Sequence, residues 1–384
     1  MKILHITYSD NYGGANIAAN RIHKSLLNHK SETKLLVIDK KTNNKNVIQY
    51  KYLCNIFSKK IRPYFEKLLI FFLGFKSQVS LNLLQSNIAS FANKNNFDVI
   101  NLHWINNEMM SLSEISKFNG KIFWTLHDAW PLENFSHYPD SSQKIVKNFF
   151  VKKTLSYLVN KKKNNLNIKK INIICPSNWI KKIALNNKIL NVDKIKIIRN
   201  PIDTNFWKPL NTKKLKIKTI LFGSVGVSSD KRKGLQNFLT TLNQICENIP
   251  KFQLLVFGGG IFDYKKFNFN IVNLGYLNKQ ELRKYYNMTN VYVVTSTQDN
   301  LPNTAIEAMS CGTPVITDKN NGLNEIINNK QNGYIMDKFS KEQLLFSLKW
   351  ALKDKNKKLI HSLIKKNFSQ KKISQQYLDF YKKI

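Results

Sequence analysis

The sequence predicts an α/β protein with two domains, each built on a parallel sheet. Short apolar segments of strand length alternate with amphipathic segments of helix length, which is the pattern of parallel strands connected by helices. The alternation stops near Asn200 and starts again at Thr219. With 384 residues, of which 42% are hydrophobic and 22% charged, the chain is long enough to form two cores.

The strand candidates fall into two series. The first series is Ile3–Tyr8, Lys34–Ile38, Asp98–His103, Lys121–Leu126, Ile171–Cys175 and Lys194–Ile198. The second is Thr219–Gly223, Gln253–Phe257, Ile271–Leu274, Val291–Thr295 and Pro314–Thr317. Helical patterns lie between them, for example at Ala15–Leu27, Leu235–Cys246, Lys279–Tyr286 and Thr304–Met309.

The domain boundary is predicted at Asn200–Pro209, which has a proline near each end and no periodic pattern. We therefore expect one domain over residues 1–200 and a second over residues 201–367. Ser340–Ile384 has the pattern of Lys-rich helices. We expect the last of these helices, at about 368–384, to pack back on the first domain.

The formal net charge of +37 is the unusual property of the composition. Such a charge is typical of proteins that bind nucleic acid, an anionic membrane or phosphorylated substrates. It also arises from a uniform drift in residue usage, and the lysines here are scattered along the chain. Because no RNP, zinc-finger or helix-turn-helix pattern accompanies them, we expect no nucleic-acid partner. Drift and a membrane surface remain as the two explanations.

Cysteine usage and the first residues predict a cytoplasmic protein. The cysteines lie far apart without a CxxC pair, at Cys54, Cys175, Cys246 and Cys311. This spacing argues against a zinc site or a disulfide framework and favours a reducing compartment. The chain passes from Met1-Lys2 straight into a short apolar strand, without the longer apolar run and cleavage site of a signal peptide.

Residues 55–84 break the alternation of strands and helices. They contain IRPYFEKLLIFFLGFK, in which apolar residues are crowded between Lys60, Arg62, Lys67 and Lys76. A helix here would have a wide apolar face with basic flanks, as helices at a membrane interface do. This interpretation predicts a peripheral protein on the inner face of an anionic membrane. The alternative is a buried connecting helix with aromatic anchors.

The strongest functional motif is DNLPNTAIEAMSCGTP at Asp299–Pro314. It follows a strand candidate and begins a helix at about Asn303. Pro302 suits the first helical turn, where its missing N–H costs nothing. The free N–H groups of that turn, at Asn303 and Thr304, form an anion site suited to a diphosphate. Carboxylates of Asp299 and Glu307 would flank this site and accept hydrogen bonds from sugar hydroxyls.

This motif resembles the signature of retaining glycosyltransferases of the family-4 type. That family has the GT-B fold, in which two Rossmann-like domains face each other across a cleft. Its pattern is Glu, seven residues, Glu and a small-residue tract. EAMSCGTPV at Glu307–Val315 matches the second half, and Asp299 stands in place of the first Glu. The DNLPNT form resembles a subgroup that acts in bacterial surface-polysaccharide synthesis.

The resemblance implies roles for both carboxylates. Glu307 would bind the ribose hydroxyls of the donor nucleotide, and Asp299 would contact the donor sugar. The first domain would then face the acceptor, and the second would bind the nucleotide sugar.

A second motif, GSVGVSSDKRKG at Gly223–Gly234, lies between a strand and a helix. Its glycines let the backbone approach a phosphate, and three cations follow, Lys231, Arg232 and Lys233. The resemblance implies that Lys233 holds the donor diphosphate. Ser224 or Val225 occupies the place of the family's Arg, so Arg232 or Lys231 substitutes for it, or the helix start at Pro302–Thr304 carries more of the charge.

Gly13-Gly14 follows the first strand and precedes a helix. Paired glycines let this loop pass close to a ligand, and the absence of GxGxxG argues against a nicotinamide cofactor. The resemblance implies that the loop lies over the donor phosphates.

Two further pairs of residues end strands in the first domain. His127 and Asp128, in LHDAWP, follow one strand, and His103-Trp104 follows another. Ligands of open α/β sheets bind at such strand ends. The resemblance implies that His127 faces the donor and acceptor sugars. Asp128 would orient it or shape the loop, and His103 and Trp104 would line the acceptor side.

The predicted reaction transfers a sugar from a nucleotide diphosphate to a lipid-linked or saccharide acceptor, with retention at the anomeric carbon. The predicted catalytic residues are His127, Asp299 and Glu307. The predicted donor-binding residues are Gly13, Gly14, Arg232, Lys233, Asn303, Thr304 and Glu307. Because cations and the N–H groups of a helix start can balance the negative charge of the diphosphate, we expect no metal and no other cofactor. The alternatives are a nucleotide-sugar epimerase of the same fold and a non-catalytic basic protein that binds membrane or nucleic acid.

Overall fold

The computed structural model confirms the predicted α/β class and divides the chain into two compact units. One unit contains Met1–Pro201 and Ile373–Ile384, and the other contains Ile202–Lys372. The structure describes residues 1–29, 31–52, 56–75, 78–139, 149–212, 215–260, 264–319 and 321–384. Three residues of the sequence patterns, Cys54, Asn55 and Lys76, lie outside this range.

The first unit is built on seven strands. These are β1 (Lys2–Ile6), β2 (Glu32–Val37), β3 (Val47–Gln49), β4 (Val99–Leu102), β5 (Lys121–Thr125), β6 (Ile171–Cys175) and β7 (Val192–Ile197). All neighbours pair in parallel, in the order β3-β2-β1-β4-β5-β6-β7. The inner strands are continuous buried runs, as in β6, because helices cover both faces of a parallel sheet.

In the described part of this unit, five α-helices connect the strands. They are α1 (Gly14–Leu27), α2 (Arg62–Phe72), α3 (Ile88–Lys94), α4 (Phe149–Asn167) and α5 (Asn178–Leu185). A π-helical stretch, Phe57–Ile61, runs directly into α2. Among the described residues, no helix has both the length and the apolar character needed to cross a bilayer.

The described residues of the second unit form six parallel strands and five α-helices. The strands are β8 (Lys218–Gly223), β9 (Phe252–Phe257), β10 (Asn270–Asn273), β11 (Val291–Val294), β12 (Val315–Asp318) and β13 (Gly333–Met336), in the order β10-β9-β8-β11-β12-β13. The helices are α6 (Leu235–Ile245), α7 (Lys279–Met288), α8 (Asn303–Ser310), α9 (Lys341–Ala351) and α10 (Lys357–Phe368). Buried residues of α6 recur at helical spacing, which fixes the face it packs on the sheet.

The last helix, α11 (Gln370–Lys383), contributes its buried face to the first unit from Ile373 onward. Tyr377, Phe380 and Tyr381 pack in one cluster with Phe123 of β5. Tyr381 also accepts a hydrogen bond from Asn101, with 2.6 Å between its Oη and the amide nitrogen. Aromatic burial and this buried hydrogen bond together fix the register of the helix.

Two edge strands, β3 and β13, were not predicted. Each has three or four residues and is half-buried in part, so neither shows a run long enough to recognise. The helix start at Pro302 also differs in detail. Pro302 is the residue before α8, with φ −59° and ψ 118°, and not a residue of its first turn.

Candidate functional site

In the sheet of the second unit, the order in which the chain adds strands reverses between the two central strands, β8 and β11. From β8 the sheet continues through β9 to β10 on one side, and from β11 through β12 to β13 on the other. Loops that leave the carboxyl ends of two such strands diverge and open a crevice for ligands. A cavity lies here, lined by Gly223 at the end of β8, by Ser224 directly after it, and by Thr295 and Asp299 after β11.

Lys233 and Asp299 meet at this cavity. Lys233 Nζ lies 2.6 Å from Asp299 Oδ2, although the two residues are far apart in sequence. Burial alone would raise the pKa of Asp299, but the charges of Lys233 and Arg232 and the hydrogen bond from Lys233 lower it below its usual value. The site therefore holds a buried carboxylate paired with the lysine predicted to bind diphosphate.

Arg232 and Lys231, the two proposed substitutes for the family's Arg, have different positions. Arg232 Nη2 lies 2.7 Å from Asp230 Oδ2, and its Nη1 donates to the carbonyl of Gln298 at 2.6 Å and lies 3.6 Å from Asp299. Lys231 is exposed. Arg232 therefore supports the loop that carries Asp299.

Ser224 and Val225, at the place of the family's Arg, also differ. Ser224 lines the cavity. Its side-chain oxygen is buried and has no hydrogen-bond partner among the described residues. Val225 is 50% exposed. A buried hydroxyl without a partner costs free energy that a ligand oxygen could recover.

A glycine brings the basic loop close to the end of β11. Gly234 has φ +75°, and a Cβ at this position would lie 2.6 Å from the carbonyl oxygen of Thr295. Thr297 N also donates to the carbonyl of Arg232 at 2.9 Å. Any side chain at position 234 would push the two loops apart, so this glycine sets the distance between Lys233 and Asp299.

The start of α8 faces the same cavity, which is lined by Pro302, directly before the helix, and by Thr304 of its first turn. Thr304 Oγ1 lies 3.0 Å from the hydroxyl of Tyr292, which also contacts the carbonyl of Gly223. Tyr292 therefore links the end of β8 to the start of α8. Sequence reasoning missed this residue, because a tyrosine inside an apolar strand looks like part of the core.

Glu307 lies one turn further along α8 and is 5% exposed. The hydroxyl of Tyr286, from α7, donates to its Oε2 at 3.4 Å. Glu307 is outside the set of described residues that line the cavity. Its predicted contact with the ribose thus requires a ligand that extends beyond this cavity.

In the sheet of the first unit, the order in which the chain adds strands reverses between β1 and β4. Gly13-Gly14 follows β1, His103-Trp104 follows β4, and His127-Asp128 follows β5. Gly13 has φ +83°, a conformation that suits glycine, and its carbonyl accepts from Ile17 N in the first turn of α1. The predicted residues of this unit therefore share one edge of the sheet.

His127 is half-buried and lies beside His103. Their rings are stacked, with 3.0 Å between His127 Nε2 and His103 Nδ1. Burial lowers the pKa of His127 to about 4, against a smaller opposing effect of Asp128. His103 is 3% exposed, and its other nitrogen contacts His5 Nδ1 at 2.9 Å. His103 therefore lies between His5 and His127, and its contact with the acceptor stays a prediction.

Asp128 shapes its loop through both carboxylate oxygens. Oδ2 lies 2.7 Å from His137 Nδ1 and accepts from the indole of Trp104 at 3.2 Å, while Oδ1 accepts from Trp130 N at 3.0 Å. Burial alone would raise the pKa of Asp128, but His137 and the hydrogen bonds lower it. Of the two roles predicted for Asp128, these contacts favour shaping the loop.

Lys162 of α4 also holds this loop and was not predicted. It is 3% exposed, donates from Nζ to the carbonyl of Trp130 at 2.7 Å, and lies 4.0 Å from the centroid of that indole ring. Burial lowers its pKa to about 7. Nothing in the sequence distinguishes Lys162 from its exposed lysine neighbours.

Metal-ligating side chains do not cluster in the part of the chain that the structure describes. No group of three or more His, Cys, Asp or Glu side chains there has the arrangement of a metal site. The expectation that no metal is required stays a prediction.

Comparison with known proteins gives a family match for the second unit. Residues 208–370 match the family described as Glycosyl transferases group 1. The uncharacterized glycosyltransferase MJ1607 of Methanocaldococcus jannaschii is 28% identical over 159 residues, which are 37% of this chain. The aligned part is 40% of that relative's length.

Solved structures extend the similarity to both units. Sucrose-phosphate synthase from Thermosynechococcus elongatus has a TM-score of 0.68 at 16% identity, over 100% of this chain and 99% of that one. HepE of Anabaena, in complex with UDP and glucose, has a TM-score of 0.67 at 15% identity, over 100% of both chains. At such identities the likeness establishes the fold. The chain therefore has the GT-B fold of glycosyltransferases, and its second unit matches the group 1 glycosyl transferases.

Proposed function

We propose that the protein is a retaining glycosyltransferase that moves a sugar from a nucleotide diphosphate to a lipid-linked or saccharide acceptor in surface-polysaccharide synthesis. The observation that carries this proposal is the cavity between β8 and β11. Lys233, Ser224 and the first turn of α8 all line it. A cation, a hydroxyl and helix N–H groups are the donors that a diphosphate binds.

The residues around the cavity suit a reaction that builds negative charge on a leaving diphosphate. Lys233 would leave Asp299 and bind the phosphates, and Arg232 would keep Asp299 ionised. Cations and N–H groups at the place where negative charge develops stabilise the transition state. Asp299 would then be available to the donor sugar, and Glu307 to the ribose.

His127, which belongs to the first unit, would contact the donor and acceptor sugars. Burial keeps it neutral at neutral pH, because its pKa lies near 4. A neutral imidazole can donate one hydrogen bond to a sugar hydroxyl without adding charge. The loop at Gly13-Gly14, on the same sheet edge, would cover the phosphates.

We expect one nucleotide sugar to stabilise the protein against heat in excess chelator. A screen of UDP-, GDP- and ADP-sugars at about 100 times the dissociation constant should raise the midpoint by about 5–10 °C for the matching nucleotide. Lys231→Met, at an exposed position, should behave like the wild type. No protection by any of the three classes would count against a nucleotide-sugar enzyme, and protection only with added Mn²⁺ would contradict metal independence. Epimerised donor without transfer to any acceptor would instead identify the epimerase alternative.

The exposed face of α2 supports membrane contact. Of its three charged residues, Arg62 and Glu66 are 4% and 3% exposed and Lys67 is exposed, whereas Phe71 and Phe72 are 76% and 67% exposed. Arg62 donates to the carbonyls of Leu84, Gln85 and Glu108, and Glu66 accepts from Leu81 N. The helix therefore buries its polar contacts and presents aromatic side chains to the solvent, which is the reverse of a water-facing helix.

Helix α4 packs on the same cluster as α2 and also exposes aromatic side chains. Leu69 of α2 and Leu155 of α4 pack on the same cluster around Phe135. From α4, Phe149 and Phe150 are 72% and 77% exposed. Within Arg62–Phe72 and Phe149–Asn167, Glu66 is the single acidic residue and it is buried, while several lysines are exposed. Aromatic side chains with basic neighbours suit an anionic lipid surface, which attracts cations and accepts aromatic rings at its interface.

We expect Phe71→Ser with Phe72→Ser to weaken binding to phosphatidylglycerol vesicles at least about tenfold, because two exposed aromatics lose their apolar contact. Leu69 is left intact, since it packs inward. The matched control is Phe346→Ser, which removes an aromatic that is 64% exposed on α9 of the second unit. Co-sedimentation of the variants measures binding. Equal binding by the double variant and the wild type would refute a membrane role for α2.

A further inference from the structure

Three histidines, His5, His103 and His127, lie side by side in a row across one face of the first sheet, and this row is called the file below. His5 lies on β1, and His103 and His127 follow β4 and β5, the next two strands in the sheet. His5 Nδ1 lies 2.9 Å from His103 Nε2, and His103 Nδ1 lies 3.0 Å from His127 Nε2. Parallel register brings them into line, since His5 pairs with Asn101, two residues before His103.

The protonation states of the three rings are tied to one another. Burial lowers the pKa of His5 and of His103 well below the usual value, with smaller contributions from neighbouring histidines, and burial lowers the pKa of His127 to about 4. All three rings are therefore neutral at neutral pH, and each has one N–H and one bare nitrogen. Each contact needs one donor and one acceptor, so the tautomer of one ring fixes the other two.

Two arrangements satisfy both contacts. In the first, His127 donates from Nε2, His103 donates from Nε2, and His5 has its proton on the outer Nε2. In the second, His5 donates from Nδ1, His103 donates from Nδ1, and His127 has its proton on Nδ1. The arrangements differ at the inner end of the file, where His5 Nε2 carries either a proton or a bare lone pair.

The environment of His5 decides between them. His5 Nε2 is buried and has no hydrogen-bond partner among the described residues. His23, the next ring, lies with its centroid 6.0 Å from that of His5, and its Nδ1 contacts Thr33 Oγ1. A buried N–H without an acceptor is rarer in proteins than an under-used acceptor. The second arrangement leaves only an acceptor unused.

We propose that His103 and His5 are positioning residues that fix His127 as the Nδ1–H tautomer, so that His127 serves the reaction as a neutral hydrogen-bond donor. The part of this inference that concerns transfer rests on the proposed function. The tautomer itself does not, and it can be measured in the protein without substrate.

The test is the ¹⁵N chemical shift of the ring nitrogens in histidine-labelled protein, which distinguishes a protonated from a bare nitrogen. We expect His127 in the wild type to carry its proton on Nδ1 and to have a bare Nε2. His103→Leu removes the donor to His127 Nε2 and should give a mixture of both tautomers. His103→Asn places an amide near the position of Nδ1 and should restore the Nδ1–H form. His29→Asn, a histidine outside the file, should leave the spectrum of His127 unchanged.

Turnover provides the second measurement. The loss of one fixed hydrogen bond should lower kcat about 2- to 10-fold in His103→Leu, with donor KM unchanged, and His103→Asn should recover most of it. A wild-type His127 with its proton on Nε2, or an equal mixture, would overturn the inference in an active enzyme. The expected tautomers in a protein that transfers no sugar would instead overturn the proposed function and leave the positioning intact.

Discussion

Lys233→Met should lower kcat for sugar transfer by about 10²–10³-fold at saturating donor, the usual cost of removing one fixed donor to developing negative charge. Lys233 is the described lysine that lines the cavity, and its Nζ already lies 2.6 Å from a buried carboxylate. The charge that leaves with the diphosphate would lose its closest cation. Lys233→Arg should retain much of the activity, and Lys231→Met, which removes an exposed charge nearby, should retain nearly all of it.

Lys233 also forms a buried ion pair with Asp299, so its loss should lower stability as well as activity. A second substitution separates the two effects. Without Lys233, Asp299 stays buried with Arg232 3.6 Å away, so unfolding should become easier by about 1–3 kcal/mol. Adding Asp299→Asn removes the buried carboxylate that has lost Lys233 and should restore the melting temperature, while transfer should stay low because Asp299 is itself a predicted catalytic residue. If the double variant recovered turnover as well as stability, the loss in Lys233→Met would be structural and Lys233 would have no role with the diphosphate.

The parts of this site that the sequence predicts are those fixed by local pattern. Apolar runs identify the strands, and DNLPNT before a helical pattern locates the start of α8. In a parallel sheet the loops after neighbouring strands lie on one edge, so the edge shared by His103 and His127 can also be predicted from the strand assignments. Pro302 and Gly234 are informative because each lies directly before a helix, where proline fixes its own φ and glycine permits a positive φ.

The rest depends on distances that no local pattern contains. The pairing of Lys233 with Asp299 requires that the loops after β8 and β11 meet, which Gly234 allows only through its close approach to Thr295. From the sequence, His5 cannot be distinguished from other residues of a buried strand. Only the register of β1 and β4 shows that it lies beside His103.

Helix α2 shows the same limit. Its apolar residues cover so much of the helix that periodicity cannot tell which face is buried. The structure resolves this through Arg62 and Glu66, whose partners are backbone groups of distant loops. Those polar contacts, rather than the aromatic residues, decide the orientation of the helix, and they leave Phe71 and Phe72 exposed.

Glu307→Gln should weaken binding of the matching nucleoside diphosphate by about 10- to 100-fold, as expected when a charged hydrogen-bond acceptor becomes neutral. Glutamine can still accept the hydrogen bond that Tyr286 donates, so the fold should survive. Calorimetric titration with the nucleotide measures the change. Glu342→Gln, which removes a carboxylate that is 60% exposed on α9, is the matched control and should bind like the wild type.

A deoxynucleotide shows whether the lost free energy belongs to the ribose. In the wild type, removing the 2′- and 3′-hydroxyls should weaken binding by about as much as Glu307→Gln does. In the variant, the same removal should cost little, because the partner of those hydroxyls has gone, and the two changes should not add. Additive losses would mean that Glu307 acts elsewhere, for example by holding Tyr286 between α7 and α8. Coupled losses would assign the ribose contact to Glu307 and would place the nucleotide along α8, with its phosphates at the first turn and its ribose one turn further on.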